Sequence, residues 1–169
     1  MATAWQIDWE HRPPEEAALY NPAFCGELLA RSVKAYCSSI DRCFPLPLAF
    51  VILPLALPPG TRRALPGKSN TTFETWAAQH EVLLSEIPST VLALRPVTRE
   101  ALLFLTQHKA LAISPRGLAL GETPLRLSSK RASTSTEVEE MQRTARLLGR
   151  WFANQANPNS ILLAMGVQP

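Results

Sequence analysis

Three arginines, Arg143, Arg146 and Arg150, recur at spacings of three and four residues in "EVEEMQRTARLLGRWF". On a helix they form one row of fixed positive charge. With Lys130 and Arg131 in the preceding loop, such a row suits nucleic-acid phosphates or an acidic protein surface. It also suits the solvated side of an amphipathic helix, helped by Glu139 pairing with Arg143 one turn on.

Groups for bond-making chemistry are sparse. His11, His80 and His108 are scattered, and no G-x-S-x-G, H-E-x-x-H, Walker or G-x-G-x-x-G pattern occurs. Glu15, Glu16, Glu74, Glu137 and Glu139 belong to helix starts, where negative charge is favoured, so little is left for a paired-carboxylate site. Cys25, Cys37 and Cys43 have no C-x-x-C spacing, which indicates neither a zinc site nor a disulfide framework. The expectation is a protein with no catalytic residues, metal or cofactor.

Composition points to partners. Of the 169 residues 46% are hydrophobic and only 18% charged, below the roughly 25% of an ordinary soluble protein, so part of the surface is expected to be covered. A net charge of +3 is far from the basic field of a strong non-specific nucleic-acid binder. The start, "MATAWQIDWEHRPPEE", lacks the regions of a signal peptide. The apolar run "FPLPLAFVILPLALPP" is broken by prolines and is about a dozen residues long, short of the roughly 20 of a membrane helix. A single cytoplasmic domain over 1–169 is expected.

The elements that position these residues are mostly helices. "PPEEAALY" starts a short helix, and "NPAFCGELLARSVKAY" a longer one with Asn21 as N-cap and Pro22 at its first position. On that helix Cys25, Leu28, Leu29, Ser32, Tyr36 and Ile40 share the inner face, with Glu27, Arg31 and Lys34 opposite. "LPLAFVILPLAL" reads as a buried helix ending near Pro54. "PPGTRRALPGKSN", with Arg62, Arg63 and Lys68, reads as a solvated loop. Thr71 with Glu74 forms a capping box for a helix through His80, and a short helix from about Pro88 ends before Pro96. Thr136 with Glu139 opens a helix whose core side is Val138, Met141, Ala145, Leu148 and Phe152. Leu147 and Trp151 flank that side, Trp151 serving either as a partner anchor or as an extension of the core. Asn157-Pro158 starts a C-terminal helix that stops at Gly166; these last helices span approximately 136–166.

Between them, "REALLFLTQHKALAISPRGLAL" reads as a helix capped by Thr98, then two short strands around a Pro-Arg-Gly turn. The expected class is therefore mainly α, a compact helical domain with a winged-helix-like helix plus short β-hairpin over approximately 72–121. Ala101, Leu102, Phe104, Leu105 and His108 point inward, while Arg99, Glu100, Leu103, Thr106 and Gln107 point outward. A groove-reading helix offers Arg, Lys, Asn or Gln to base edges and avoids carboxylates. A central leucine beside a glutamate instead suits a protein, so Arg99, Leu103, Thr106 and Gln107, with Trp151, form the candidate partner-binding set. The alternative is a stand-alone winged-helix DNA-binding transcriptional regulator.

Four blocks carry a resemblance: "RPPEEAALYNPAFCGELLARSVKAY", "FPLPLAFVILPLALPPGTRRALP", "REALLFLTQHKALAI" and "RTARLLGRWFANQANPNSILLAMGVQP". Together they resemble the middle component of bacterial three-component ABC systems, the small subunit encoded with an SMC/Rad50-like ABC ATPase and an effector. The resemblance covers almost the whole chain, with "MGVQP" standing where the family's ending would carry leucine. It implies a non-catalytic adaptor joining ATPase to effector in a Lamassu-type anti-phage or anti-plasmid defence complex, with DNA reached through the assembly. No small-molecule substrate or membrane partner is implied.

Overall fold

Helix starts follow caps written into the sequence. The computed structural model describes residues 11, 13–127 and 135–168. Helix α1 (Pro14–Leu19) carries Glu15 and Glu16 in its first turn, where they complement the dipole. Helix α2 (Pro22–Ile40) begins where the Asn21 side chain accepts the Ala23 N–H at 2.8 Å. Helix α8 (Pro158–Ala164) repeats this device with Asn157, and Gly166 follows it at φ 68°. Two caps lie one residue from their expected places. Thr72, not Thr71, caps helix α5 (Phe73–Gln79), and Ser135, not Thr136, caps helix α7 (Thr136–Ala153). Each site has two neighbouring hydroxyls, and the one used accepts an N–H three residues on, from Thr75 or Val138.

Proline ends fewer helices than its chemistry suggests. Helix α3 (Leu46–Ala56) continues two residues beyond Pro54. Helix α6 (Glu81–Gln107) passes through both Pro88 and Pro96. The expected short helix ending before Pro96 and the expected cap at Thr98 are thus parts of one long element, and Thr98 is a buried helix residue whose hydroxyl has no hydrogen-bond partner among the described residues. Burial decides this: Ile87, Val91, Leu94, Val97, Leu102 and Leu105 all face the core. Even at about 1.5 kcal/mol per side chain they outweigh two prolines at about 3 kcal/mol each. Pro96 is exposed, which leaves the Leu92 carbonyl that it deprives of a donor near water.

Helix α2 threads the centre of the core, with Cys25, Leu28, Leu29 and Val33 buried. Helix α7 runs parallel to it, as Gln142 bonding Glu27, Ala145 beside Ser32 and Gly149 beside Ala35 show. The Ser32 hydroxyl donates to the Ala145 carbonyl at 2.7 Å. At Gly149 the backbones come so close that a Cβ would collide with the Ser32 carbonyl oxygen and lie 2.9 Å from the Ala35 Cβ. Trp151, Phe152 and Leu148 then fill the core beyond this crossing.

Strands β1 (Leu111–Ser114) and β2 (Gly117–Leu120) form the antiparallel hairpin expected around Pro115-Arg116. The described residues are therefore mainly helical with one short hairpin. Phe44 extends that hairpin by exchanging two 2.8 Å backbone hydrogen bonds with Leu118. Gly117, at φ 120°, is required there because a Cβ would meet the Phe44 carbonyl.

The expected solvated loop after α3 is instead helix α4 (Pro59–Ala64). Its Arg62 side chain is almost fully buried. The guanidinium donates to the carbonyls of Ala56 and Leu57 and meets Glu137 at 3.2 Å and Glu140 at 3.9 Å. A cation at the carboxyl end of α3 is favoured by the dipole, which draws α4 inward and ties it to the start of α7.

Replacing Gly149 by alanine should test the helix crossing. Alanine raises helix propensity by about 1 kcal/mol, yet overpacking against backbone costs about 3 kcal/mol or more. Urea denaturation should show a net loss of about 2 kcal/mol; equal or greater stability would refute the close approach.

Candidate docking face and basic cleft

The second half of α6 presents the two faces that its periodicity implies. Ala101, Leu102 and Leu105 are buried, Phe104 is half-buried, and Arg99, Glu100 and Gln107 are exposed. Leu103 is 57% exposed. His108, expected inside, is exposed, because the helix ends at Gln107 and the wheel no longer governs it. Its ring lies over Phe104 with centroids 4.3 Å apart, and its Nδ1 is 2.8 Å from the Phe104 carbonyl oxygen. Thr106 is half-buried, and its hydroxyl turns back to the carbonyls of Leu102 and Leu103, both at 3.0 Å. It shapes the helix surface rather than offering a free donor.

Leu92, Pro96, Arg99 and Leu103 follow one another at four, three and four residues, so they form a single outward stripe about 16 Å long. Leu92 is 67% exposed. At this end of the stripe lies an apolar groove of about 580 Å³ between α3, α6 and α8, lined by Leu46, Phe50, Val91, Leu92, Leu162 and Val167. Arg95 stands on its rim. Sequence reasoning found Leu103 but missed the groove, because α3 and α8 meet α6 only through the tertiary fold. The apolar "ILLAMGV" ending was the available signal.

Trp151 is not a partner anchor. It is fully buried, its indole N–H donates to the Thr71 carbonyl at 2.6 Å, and its ring packs on Phe73 at 5.3 Å and edge-on to Trp76 at 5.2 Å. The position flanking the arginine row points toward α5, so a large apolar ring there is core.

Arg143 and Arg150 are exposed and Arg146 is half-buried. The expected pairing of Glu139 with Arg143 does not occur: among the described residues none of the three arginines makes an ion pair. Lys130 and Arg131 lie outside the described residues. Beside the row, α2 and α7 enclose a cleft of about 230 Å³ lined by Arg31, Lys34, Ala35, Ser38, Leu127, Arg146 and Arg150.

Arg31 was expected on the solvated side of α2, yet it is only 3% exposed. Its guanidinium is held by Glu27 at 2.6 and 3.0 Å and by the Leu127 carbonyl at 3.4 Å. A wheel places any arginine outward, and the segment that covers this one is distant in sequence. Partial burial lowers the Arg146 pKa from its ordinary value, and the like charges of Arg31, Arg150 and Arg143 add to the shift.

Cys25 has no reactive environment. Burial, with the charge of Glu100 adding to it, pushes the Cys25 thiol up to about 12, and the thiol donates to the Leu19 carbonyl at 3.3 Å. Among the described residues no group of three or more His, Cys, Asp or Glu side chains is placed to hold a metal ion, and no helix is long and apolar enough to cross a membrane.

At pH 8 Cys25 remains a thiol, so iodoacetamide on the native protein should leave it unmodified while Cys43, half-exposed, is alkylated. Peptide mass spectrometry reads this directly, and rapid native labelling of Cys25 would contradict its burial.

Neither a curated protein nor a solved structure matches the chain. A family model does, over residues 9–169, and it spans the α6 stripe, the apolar groove and the basic cleft alike. The chain belongs to the family described as ABC-three component (ABC-3C) system Middle Component 3.

Proposed function

We propose that this chain is the non-catalytic, cytoplasmic adaptor that joins an SMC/Rad50-like ABC ATPase to an effector in a Lamassu-type defence complex, and that the outer stripe of α6 docks the ATPase. The observation that carries this reading is the Leu92 to Leu103 stripe, continuous with an apolar groove, on a member of a multi-component family. An isolated surface leucine is ordinary. Two leucines aligned beside a groove of this size form the kind of patch that a partner covers. Arg95 at the groove's rim would give the interface part of its polar border.

The alternative of a stand-alone transcriptional regulator needs α6 to read bases. Its outward face sets Glu100 beside Leu103, both exposed, an arrangement that repels phosphate and lacks donors at its centre. Docking makes better use of these residues.

Leu92→Glu combined with Leu103→Glu should leave the fold intact, because both side chains are largely in water. At an interface the same charges would be buried without mates, at about 3 kcal/mol, so affinity for the ATPase should fall at least about 100-fold. Circular dichroism and pull-down from co-expressed subunits measure the two effects. Retained ATPase binding by a folded double variant would exclude α6 as the docking face.

A further inference from the structure

We infer that the cleft between α2 and α7 binds the phosphodiester backbone of a nucleic-acid duplex, with Lys34, Arg143, Arg146 and Arg150 as the contacting cations. This site is separate from the α6 stripe and does not depend on which protein docks there.

The charge arrangement is the first reason. Arg31, Lys34, Arg146 and Arg150 line one small concavity, and Arg143 continues the row. Glu27, the carboxylate that pairs with Arg31, is also engaged by Gln142, whose amide donates to it at 3.0 Å. Lys34 and the three arginines of α7 have no ion pair among the described residues. Concentrating like charge in a partly desolvated cleft is unfavourable without an anion, and low-dielectric walls focus its field. Partial burial lowers the proton affinity of Arg146, and repulsion from Arg31, Arg150 and Arg143 adds to it.

Shape and chemistry then select the anion. The uncharged lining is Ala35, Ser38 and Leu127, with none of the aromatic anchors that dominate protein interfaces. Among the described residues no ring lines the cleft to stack an unpaired base, as single-strand binders require. A duplex backbone asks only for positive charge and planar donors, which guanidiniums supply in bidentate fashion. Along α7 the row from Arg143 to Arg150 spans about 10 Å, the length of about three base-pair steps of about 3.4 Å measured along the duplex axis. Arg31 is too buried to touch a ligand. Its part is to hold a fixed charge at the floor of the cleft, secured by Glu27 and Leu127.

The test is fluorescence anisotropy of the full chain with a labelled DNA duplex of about two helical turns, titrated between about 50 and 200 mM salt. An RNA duplex of equal length distinguishes the two sources of the backbone; binding of either through the row supports the site. Arg146→Glu with Arg150→Glu should weaken binding at least tenfold and reduce the log–log salt slope by about 2, since each phosphate contact contributes about 0.9. Arg95→Glu with Arg99→Glu makes the same charge change on α6 and should leave the affinity within about twofold by this account. Should the charge reversal disturb the fold by circular dichroism, Arg146→Gln with Arg150→Gln removes the charges more gently and should show the same direction of change. Absence of salt-dependent duplex binding by the wild-type chain would overturn the proposal. So would equal losses in the cleft and α6 variants, or competition by polyglutamate as effective as that of the duplex at matched charge, which would assign the cleft to an acidic protein surface. The α6 docking experiment reads ATPase capture instead, so either reading can fail alone.

Discussion

Parallel packing of α2 on α7 at Gly149 governs most of the molecule. With no side chain at that position, the α7 backbone reaches the Ser32 carbonyl, and the Ser32 hydroxyl closes the contact by donating to Ala145. This approach brings Arg146, about one turn before Gly149, and Arg150, directly after it, beside Arg31 and Lys34. It also sends Trp151 and Phe152 into the core, where Trp151 gathers Phe73 and Trp76 of α5. The Trp76 indole in turn donates to the Ala64 carbonyl at 2.7 Å, so the end of α4 is fixed through the same contact chain. A larger residue at position 149 would separate the helices and loosen all of these together.

Two surfaces of opposite character result. One is the outer side of α6 with the neighbouring groove, apolar at its centre and cationic at its rim. The other is the α2 and α7 cleft, cationic at its centre and nearly without apolar anchors. Different helices build them, α3, α6 and α8 the first groove and α2 and α7 the cleft. Under the proposed adaptor role this separation is useful, because occupation of one surface need not disturb the packing beneath the other. The cleft still gathers Lys34, Arg146 and Arg150 around the fixed charge of Arg31, with Arg143 continuing the row.

Local chemistry was legible in the sequence, and long-range compensation was not. Asn21 and Asn157 before prolines marked helix starts correctly, since a cap acts within three residues. The Pro115-Arg116 turn marked the hairpin for the same reason. The bridge from Phe44 to Leu118 left no local trace, being set by the path of the chain between α2 and α3. Pro88 and Pro96 misled because their cost is local whereas the burial that offsets it lies on the opposite side of α6. Arg31 and Arg62 misled in a related way. Periodicity sends charged residues outward, but Glu27 with the Leu127 carbonyl accepts one inside, and the last carbonyls of α3 with Glu137 accept the other. Thus Leu103 and the arginine row could be named in advance, while the groove beside Leu92 and the floor of the basic cleft required the fold.

The central claim is that α6 faces the ATPase while the fold beneath it stays unchanged. Hydroxyl-radical footprinting of the subunit alone and within the co-expressed complex measures this side chain by side chain. The account predicts that Leu92 and Leu103, exposed in the free chain, become protected in the complex, whereas exposed Ile113 on the hairpin retains its reactivity. Undiminished oxidation of Leu92 and Leu103 in a complex that contains the ATPase would contradict it.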